Sequence, residues 1–255
     1  MGKALAVVAT LALSGCSGSS GTGTTVDMHD AGESHDAGHV VLASLDAAVD
    51  ATDAEAGAPG GFITGVVSFD PGPCAGYGGD DVLGSVEGPP QGGGASMGST
   101  SVVSLGNGGT IVVSFAPDSI IDGPGTDFIV FENTFIYDGV RRDAEPGEVS
   151  VSEDGVHWTT FPCSDTSMNE PDGGWGATEC AGLNPVYSNP DNDISPTDVA
   201  KAGGDDFDLA RIGVTSAKYV RIRSVVTGES CPDGGDGIGK NGFDLDAIAI
   251  VNGSM

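Results

Sequence analysis

The sequence predicts an all-β domain, a sandwich or a barrel, that occupies residues 61–255 and follows a non-globular N-terminal segment. From residue 62 onward, short runs rich in Val, Ile, Phe and Thr alternate with clusters of Gly, Pro, Asp and Asn. Asp154-Gly155 separates two of these runs and is a strong hairpin signal, because both residue types tolerate positive φ. No stretch keeps a helical apolar period over ten residues, which argues against a helical domain.

Eight runs have the length and composition of strands. They are, in chain order, Phe62–Phe69, Ser101–Leu105, Thr110–Phe115, Phe128–Phe131, Glu148–Ser152, His157–Phe161, Lys218–Val226 and Leu245–Val251. Asn107-Gly108-Gly109 indicates a turn between the second and third runs. Ser195–Ala202 is the one segment expected to form a turn or two of helix.

Residues 1–15 have the features of a secretory signal peptide. Lys3 precedes an apolar run, Ala4 to Leu13, that is too short to span a bilayer as a permanent helix. Leu13-Ser14-Gly15-Cys16 resembles the lipobox of bacterial lipoproteins, in which the cysteine is lipidated and becomes the first mature residue. The resemblance predicts lipidation of Cys16; the alternative is an ordinary signal peptide with Cys16 incidental. Residues 16–60 have few large apolar groups, which predicts a flexible acidic tether.

The chain is strongly acidic, with 37 Asp and Glu against 9 Lys and Arg and a formal net charge of −28. Nucleic-acid binding relies on Lys and Arg that neutralise phosphates, so this balance argues against nucleic acid as a partner. Repulsion among so many carboxylates destabilises a compact state unless something offsets it. Bound divalent cations are the simplest compensation.

Four cysteines follow Cys16, and an even number in an exported chain favours two disulfides. We expect Cys163–Cys180, which would close a polar loop, and Cys74–Cys231, which would join the start and the end of the domain. Three pairings of four cysteines are formally open. A zinc site is the alternative, but the chain has no Cys-x-x-Cys spacing.

Two segments resemble a known superfamily. Val149–Thr159, which contains Ser-Glu-Asp-Gly-Val-His-Trp, is similar to a hairpin of discoidin-like and galactose-binding-like modules, and Ala217–Arg223 resembles their late strand. The order of the other motifs is similar to that in an uncharacterised family of bacterial cell-surface lipoproteins. These motifs are Ser104–Gly109, Asp122–Phe128, Val130–Asn133, Gly203–Leu209 and Gly242–Ile248. The resemblance implies a jelly-roll β-sandwich, often with a structural calcium, and a binding role. The insert from Cys163 to Phe207 departs from the usual module.

Calcium is the predicted cofactor of the acidic segments, because it takes six to eight oxygen ligands in forgiving geometry. Phe243-Asp244-Leu245-Asp246 alternates, so both aspartates would project from one face while the two apolar residues enter the core. Similar edges are expected at two other strand ends. The predicted calcium ligands are Glu132, Asn133, Asp206, Asp208, Asp244 and Asp246. The alternative is that these acids are solvated turn residues or ion-pair partners of Arg211, Arg221 and Arg223.

No catalytic residue is predicted. Gly94-Ala95-Ser96-Met97-Gly98 matches a serine-nucleophile pattern, but prolines and glycines precede it, no helix is predicted after it, and His157 is the only histidine of the domain. Aromatic side chains could instead supply a platform on which sugars stack. The candidates for ligand contact are Trp175, Tyr187 and Arg221. The alternative for Trp175 is to fill a small core under its long polar loop.

Together these features predict an exported protein that is lipid-anchored in the outer membrane or at the cell surface. It would present a non-catalytic, calcium-stabilised β-sandwich that binds a glycan or a protein. The expected partners are the membrane, through the lipid anchor, and a glycan or surface protein. Two alternatives remain: a hydrolase or lyase acting on extracellular polysaccharide, and a purely structural surface or adhesion lipoprotein.

Overall fold

The computed structural model describes residues 61–94, 96–137, 141–164, 179–226 and 242–254. The predicted signal peptide, Cys16 and the predicted tether lie outside these residues, as do Trp175 and Cys231. Within the described ranges the fold is mostly β with antiparallel sheets, which confirms the predicted all-β class. In the same ranges, no helix has the length and apolar character needed to cross a membrane.

The described ranges contain fourteen strands and two short helical segments. The strands are β1 (Gly65–Asp70), β2 (Val103–Ser104), β3 (Thr110–Ser114), β4 (Ser119–Ile121), β5 (Phe128–Glu132), β6 (Phe135–Tyr137), β7 (Arg141–Asp143), β8 (Gly147–Ser152), β9 (Thr159–Thr160), β10 (Asp205–Phe207), β11 (Ser216–Ala217), β12 (Tyr219–Ser224), β13 (Asp244–Ile250) and β14 (Gly253–Ser254). The helical segments are α1 (Val82–Val86) and a 3-10 turn, Leu209–Ile212. Each of the eight predicted runs overlaps a strand.

Two main sheets form the body of the domain. The first has the strand order β1-β3-β12-β8-β9 and the second β10-β5-β13-β2, with antiparallel neighbours throughout. Both sheets contribute alternate residues to one apolar cluster, with Val113 and Ile222 from the first sheet and Val130 and Ile248 from the second. This shared core is consistent with a β-sandwich. Smaller sheets, β11-β4-β14 and β6-β7, complete the fold.

Two local features differ from the sequence prediction. Ser195–Ala202 forms consecutive turns rather than helix, with Asp198 accepting from the backbone N–H groups of Lys201 and Ala202. A helix is present instead at α1, where the Asp81 carboxylate caps the first turn by accepting from Gly84 N at 3.0 Å. Both differences arise in segments too short for an apolar period to distinguish a turn from a helix.

The predicted Asp154-Gly155 hairpin joins β8 to β9, and Gly155 has the positive φ of +74° that its turn requires. The Asp154 carboxylate organises this turn. Its Oδ1 accepts from the backbone N–H groups of Val156 and His157, both at 2.8 Å, and its Oδ2 lies 2.7 Å from His157 Nδ1.

This contact raises the pKa of His157 above its ordinary value, and it lowers the pKa of Asp154. We expect Asp154→Asn to return the His157 pKa toward about 6.5, as followed by NMR titration of the imidazole. The raised histidine pKa stabilises the hairpin below about pH 6.5, and this contribution is lost as pH rises through the folded value. Glu153→Gln is the matched control, because Glu153 pairs with Lys218 instead. An unchanged His157 titration in Asp154→Asn would contradict this account.

Candidate metal centre

Three buried carboxylates converge at one end of the second sheet. Glu132 ends β5, Asp244 begins β13, and Glu145 lies in the short segment between β7 and β8. One carboxylate oxygen from each residue lies within 4.8 Å of the other two. These three residues, which we call the carboxylate cluster, line a cavity of about 200 Å³. Such an arrangement could hold a metal ion, since carboxylate oxygens are the preferred ligands of hard divalent cations.

Strand register and backbone hydrogen bonds place the carboxylate cluster. The antiparallel pairing of β5 with β13 sets Leu245 opposite Glu132, so the end of one strand meets the start of the other. Glu132 Oε1 accepts from Asp244 N at 3.3 Å, and its Oε2 accepts from Thr134 Oγ1 at 2.5 Å. Glu145 Oε1 accepts from Gly242 N at 3.0 Å. The positions of the carboxylates are thus fixed by the fold.

The hydrogen bond to Glu145 depends on the backbone conformation of Gly242. Its φ is +84°, a region that favours glycine, and a Cβ there would collide with the backbone carbonyl of Gly106. Phe243, the next residue, is fully buried in the core, and its backbone N–H donates to Ser224 Oγ. The entry into β13 therefore allows little change in the backbone near the carboxylate cluster.

Electrostatics in the carboxylate cluster disfavour three negative charges without a counter-ion. Burial raises the pKa of Glu132 well above its usual range, and the neighbouring Asp244 and Glu145 raise it further. Burial also raises the pKa of Asp244 to about 6, although the nearby Ser104 and Asn133 side chains oppose this shift. Asp244 Oδ1 is buried and has no hydrogen-bond partner among the described residues. An unsatisfied buried carboxylate oxygen on a cavity wall is a position where a cation would be stabilising.

The six predicted ligands are divided between different parts of the structure. Glu132, Asn133 and Asp244 line the cavity together. Asn133 Oδ1 accepts from Ser99 N at 2.5 Å, which ties the segment around Ser99 to this wall. Asp206, Asp208 and Asp246 do not line it. Glu145 does, although the sequence analysis missed it, since nothing in its short segment distinguishes it from the many other acids.

Asp246 is separated from Asp244 by a change in strand register. A β-bulge between Leu245 and Ala247 interrupts the alternation on which the prediction relied, although Phe243 and Leu245 do enter the core as expected. Both carboxylate oxygens of Asp246 accept from Gln91 N, at 2.8 and 3.0 Å. Burial raises the pKa of Asp246 to about 7. Its observed contact therefore anchors the Gln91 loop to β13.

Asp208 belongs to a second acidic group, with Asp122 and Asp127, at the opposite end of β5. Hydrogen bonds within the fold engage Asp208 and Asp127 of this group. Asp208 Oδ1 caps the 3-10 turn by accepting from Ala210 N at 2.9 Å, while both oxygens of buried Asp127 accept hydrogen bonds from neighbouring segments. Asp206 is exposed and accepts from Thr126 Oγ1 at 3.1 Å.

The predicted ligand-contact residues do not share one site in the described part of the chain. Tyr187 is 40% exposed and lies beside the bridge that pairs Val186 with Gly203. Arg221 lies on the central strand of the first sheet, where its guanidinium sits 4.5 Å from the centre of the Trp158 ring and its Nη2 donates to Ser150 Oγ. Trp175 falls outside the described residues.

Ion pairs and covalent links follow the predictions in part. Arg211 forms an ion pair with Glu179, and Arg223 forms one with Glu148. Neither of these glutamates is a predicted metal ligand. The predicted disulfide Cys163–Cys180 is confirmed. Cys74 is also disulfide-bonded, while its predicted partner, Cys231, lies outside the described residues.

The serine-nucleophile pattern lacks its structural context. Ser96 lies in a turn, and residues 96–102, all within the described part of the chain, contain no helix. Comparison of the chain with protein-family models and with curated proteins gives no match.

Proposed function

We propose that this chain is an exported, lipid-anchored protein of the cell envelope that uses a calcium-bound β-sandwich to bind a glycan or a surface protein without catalysis. The observation that carries the proposal is the buried carboxylate cluster, in which Asp244 Oδ1 has no hydrogen-bond partner among the described residues. The lipobox-like Leu13-Ser14-Gly15-Cys16 supports the anchor. Multiple acyl chains on such a cysteine would hold the protein at a membrane without a spanning helix.

Calcium fits the donors of the carboxylate cluster better than other common cations. All three are oxygens, whereas zinc and copper sites usually include histidine or cysteine. Magnesium prefers near-ideal octahedral geometry and keeps several water ligands, while calcium accepts irregular sets of carboxylates and carbonyls. A divalent cation would also offset the repulsion that Glu132 experiences from Asp244 and Glu145.

The strand order supports a jelly-roll, galactose-binding-like form of the sandwich. Strands β1, β3, β8 and β12 belong to the first main sheet, while β2, β5, β10 and β13 belong to the second. Along the chain, successive strands of this set alternate between the two sheets, as they do in a jelly roll. Folds of this kind present their end loops for binding, and the carboxylate cluster lies at one such end.

Thermal unfolding of the full chain tests the calcium assignment. We expect the melting temperature in millimolar calcium to exceed that in EDTA by roughly 5–10 °C, because calcium at about 100 times its dissociation constant adds about 2.7 kcal/mol to a domain of this size. Magnesium should give a smaller rise. Asp244→Asn should abolish the calcium response.

Asp208→Asn is the matched control, since it makes the same chemical change in the other acidic group and should leave the calcium response intact. Equal melting temperatures in calcium and EDTA for the wild-type chain would refute the metal assignment. A response lost equally in both variants would place the cation elsewhere.

A glycoside hydrolase is the alternative that one observation favours. The same cavity contains a glutamate with a raised pKa beside other carboxylates, as a general acid requires. Cleavage of a polysaccharide that continues in EDTA and stops in Glu132→Gln would support the enzyme instead of the binding protein.

A further inference from the structure

We infer that the cavity beside the carboxylate cluster binds a neutral sugar through two adjacent hydroxyl groups, which complete the coordination of the calcium ion. This inference rests on the proposed function and specifies its ligand. In the carboxylate cluster, one oxygen from each of three residues lies within 4.8 Å of the other two, whereas calcium takes six to eight oxygen ligands.

The cavity in front of the carboxylate cluster leaves room for further ligands. Both oxygens of Glu132 already accept hydrogen bonds, from Asp244 N and Thr134 Oγ1, and Glu145 Oε1 accepts from Gly242 N. These bonds favour single-oxygen coordination by the glutamates. The cavity of about 200 Å³ in front of the carboxylate cluster has the volume of roughly six or seven water molecules. One monosaccharide unit is of similar size and could replace that water.

The walls of the cavity suit a sugar ring. Tyr77 and Phe135 line it with aromatic surface, and Ser99 and Thr100 add hydroxyl groups. Tyr77 is 47% exposed, so part of this lining residue is accessible to a ligand. Aromatic faces beside convergent polar groups are typical of small-molecule sites, where the apolar wall packs against the ligand and the polar groups orient it. A pair of sugar hydroxyls would meet the cation while the ring contacts the aromatic wall.

The charge of the cavity selects against acidic ligands. The carboxylate cluster places three carboxylates on the cavity wall, and one divalent cation offsets only two of their negative charges. With the cluster ionised by metal binding, the site keeps a negative balance. A uronic acid or a phosphorylated sugar would be repelled. The hydroxyl groups of a neutral sugar can coordinate the cation without adding negative charge. The expected ligand is therefore a neutral sugar with a vicinal diol.

Saturation-transfer NMR on the full chain tests this inference, with methyl α-mannoside and methyl β-galactoside as probes. In millimolar calcium we expect transfer to the protons of the sugar ring for at least one probe, and loss of that transfer in EDTA and in Asp244→Asn. Tyr77→Ala should weaken sugar binding about three- to tenfold while the calcium-induced rise in melting temperature is kept. Asp208→Asn should retain both properties.

The outcomes separate this inference from the proposed function. A calcium-induced rise in melting temperature without transfer to either sugar would overturn the diol site and leave the metal centre standing. Transfer that persists in EDTA would also overturn it, because the sugar would then bind elsewhere. Absence of any calcium response would refute both the metal centre and the diol site. Calcium-dependent transfer that is lost in Asp244→Asn and weakened in Tyr77→Ala would support the inference.

Discussion

Replacing Asp127 with alanine is expected to lower the free energy of unfolding by about 3–5 kcal/mol. Asp127 is fully buried immediately before β5 and connects three segments. Its Oδ1 accepts from Gly123 N at 2.8 Å and from Asn252 Nδ2 at 2.9 Å, while its Oδ2 accepts from Leu209 N at 2.7 Å. Alanine would leave all three donors without this acceptor, and a buried donor without a partner costs about 1–3 kcal/mol.

Urea denaturation in calcium is the measurement for this prediction. Asp127→Asn should be intermediate, because an amide oxygen can keep one side of the network but an amide nitrogen cannot accept from Leu209 N. Asp122→Ala is the matched control: Asp122 belongs to the same acidic group but is exposed, so its removal should change stability by less than about 0.5 kcal/mol. Equal stability of Asp127→Ala and Asp122→Ala would show that the Asp127 network is unimportant.

Glu132→Gln is expected to stabilise the metal-free chain and to destabilise it relative to wild type in calcium. At pH 8 in EDTA, removing the buried charge should raise the free energy of unfolding by about 1–3 kcal/mol. Burial and the adjacent Asp244 and Glu145 raise the pKa of Glu132, so its ionised form is unfavourable in the folded state. Glutamine can keep both observed contacts, since its Oε1 accepts from Asp244 N and its Nε2 donates to Thr134 Oγ1.

The informative result is a reversal of relative stability: Glu132→Gln should be more stable than wild type in EDTA and less stable than wild type in calcium. Urea denaturation of wild type, Glu132→Gln and Glu87→Gln in both conditions measures it. Glu87 is exposed and serves as a control for the loss of one negative charge at the surface. If Glu132→Gln were less stable than wild type in EDTA, the ionised glutamate would be stabilising on its own and the argument for a counter-ion would fail.

The strands were predictable from local composition, but the small sheets were not. Runs such as Thr110–Phe115 and Leu245–Val251 carry dense β-branched and apolar residues, so they form strands in a half-buried or buried sheet whatever their partners. The β6-β7 pair and the Asp205–Phe207 strand have three residues per strand, which is too short to show a period. Their strand form depends on pairing with other segments, which composition does not reveal.

The carboxylate cluster was predictable only where an acid lies at the end of a strand. Glu132 follows an apolar run and Asp244 precedes one, so their place at the ends of strands follows from the pattern. Glu145 could not be found in this way, because its hydrogen bond to Gly242 N joins residues separated by 97 positions. Asp246 was misplaced by a bulge, a register change that the alternation of residue types does not encode.

The alternation of strands between the two main sheets has a consequence for how the chain reaches this structure. Ile111 pairs with Ile222, and Val130 pairs with Ile248, so each main sheet contains one pair of neighbouring strands whose residues are more than one hundred positions apart in the chain. Contacts of this separation must close large loops before they stabilise anything, and chains dominated by them fold slowly. We therefore expect slow folding of this domain, with a rate set by closure of these long loops.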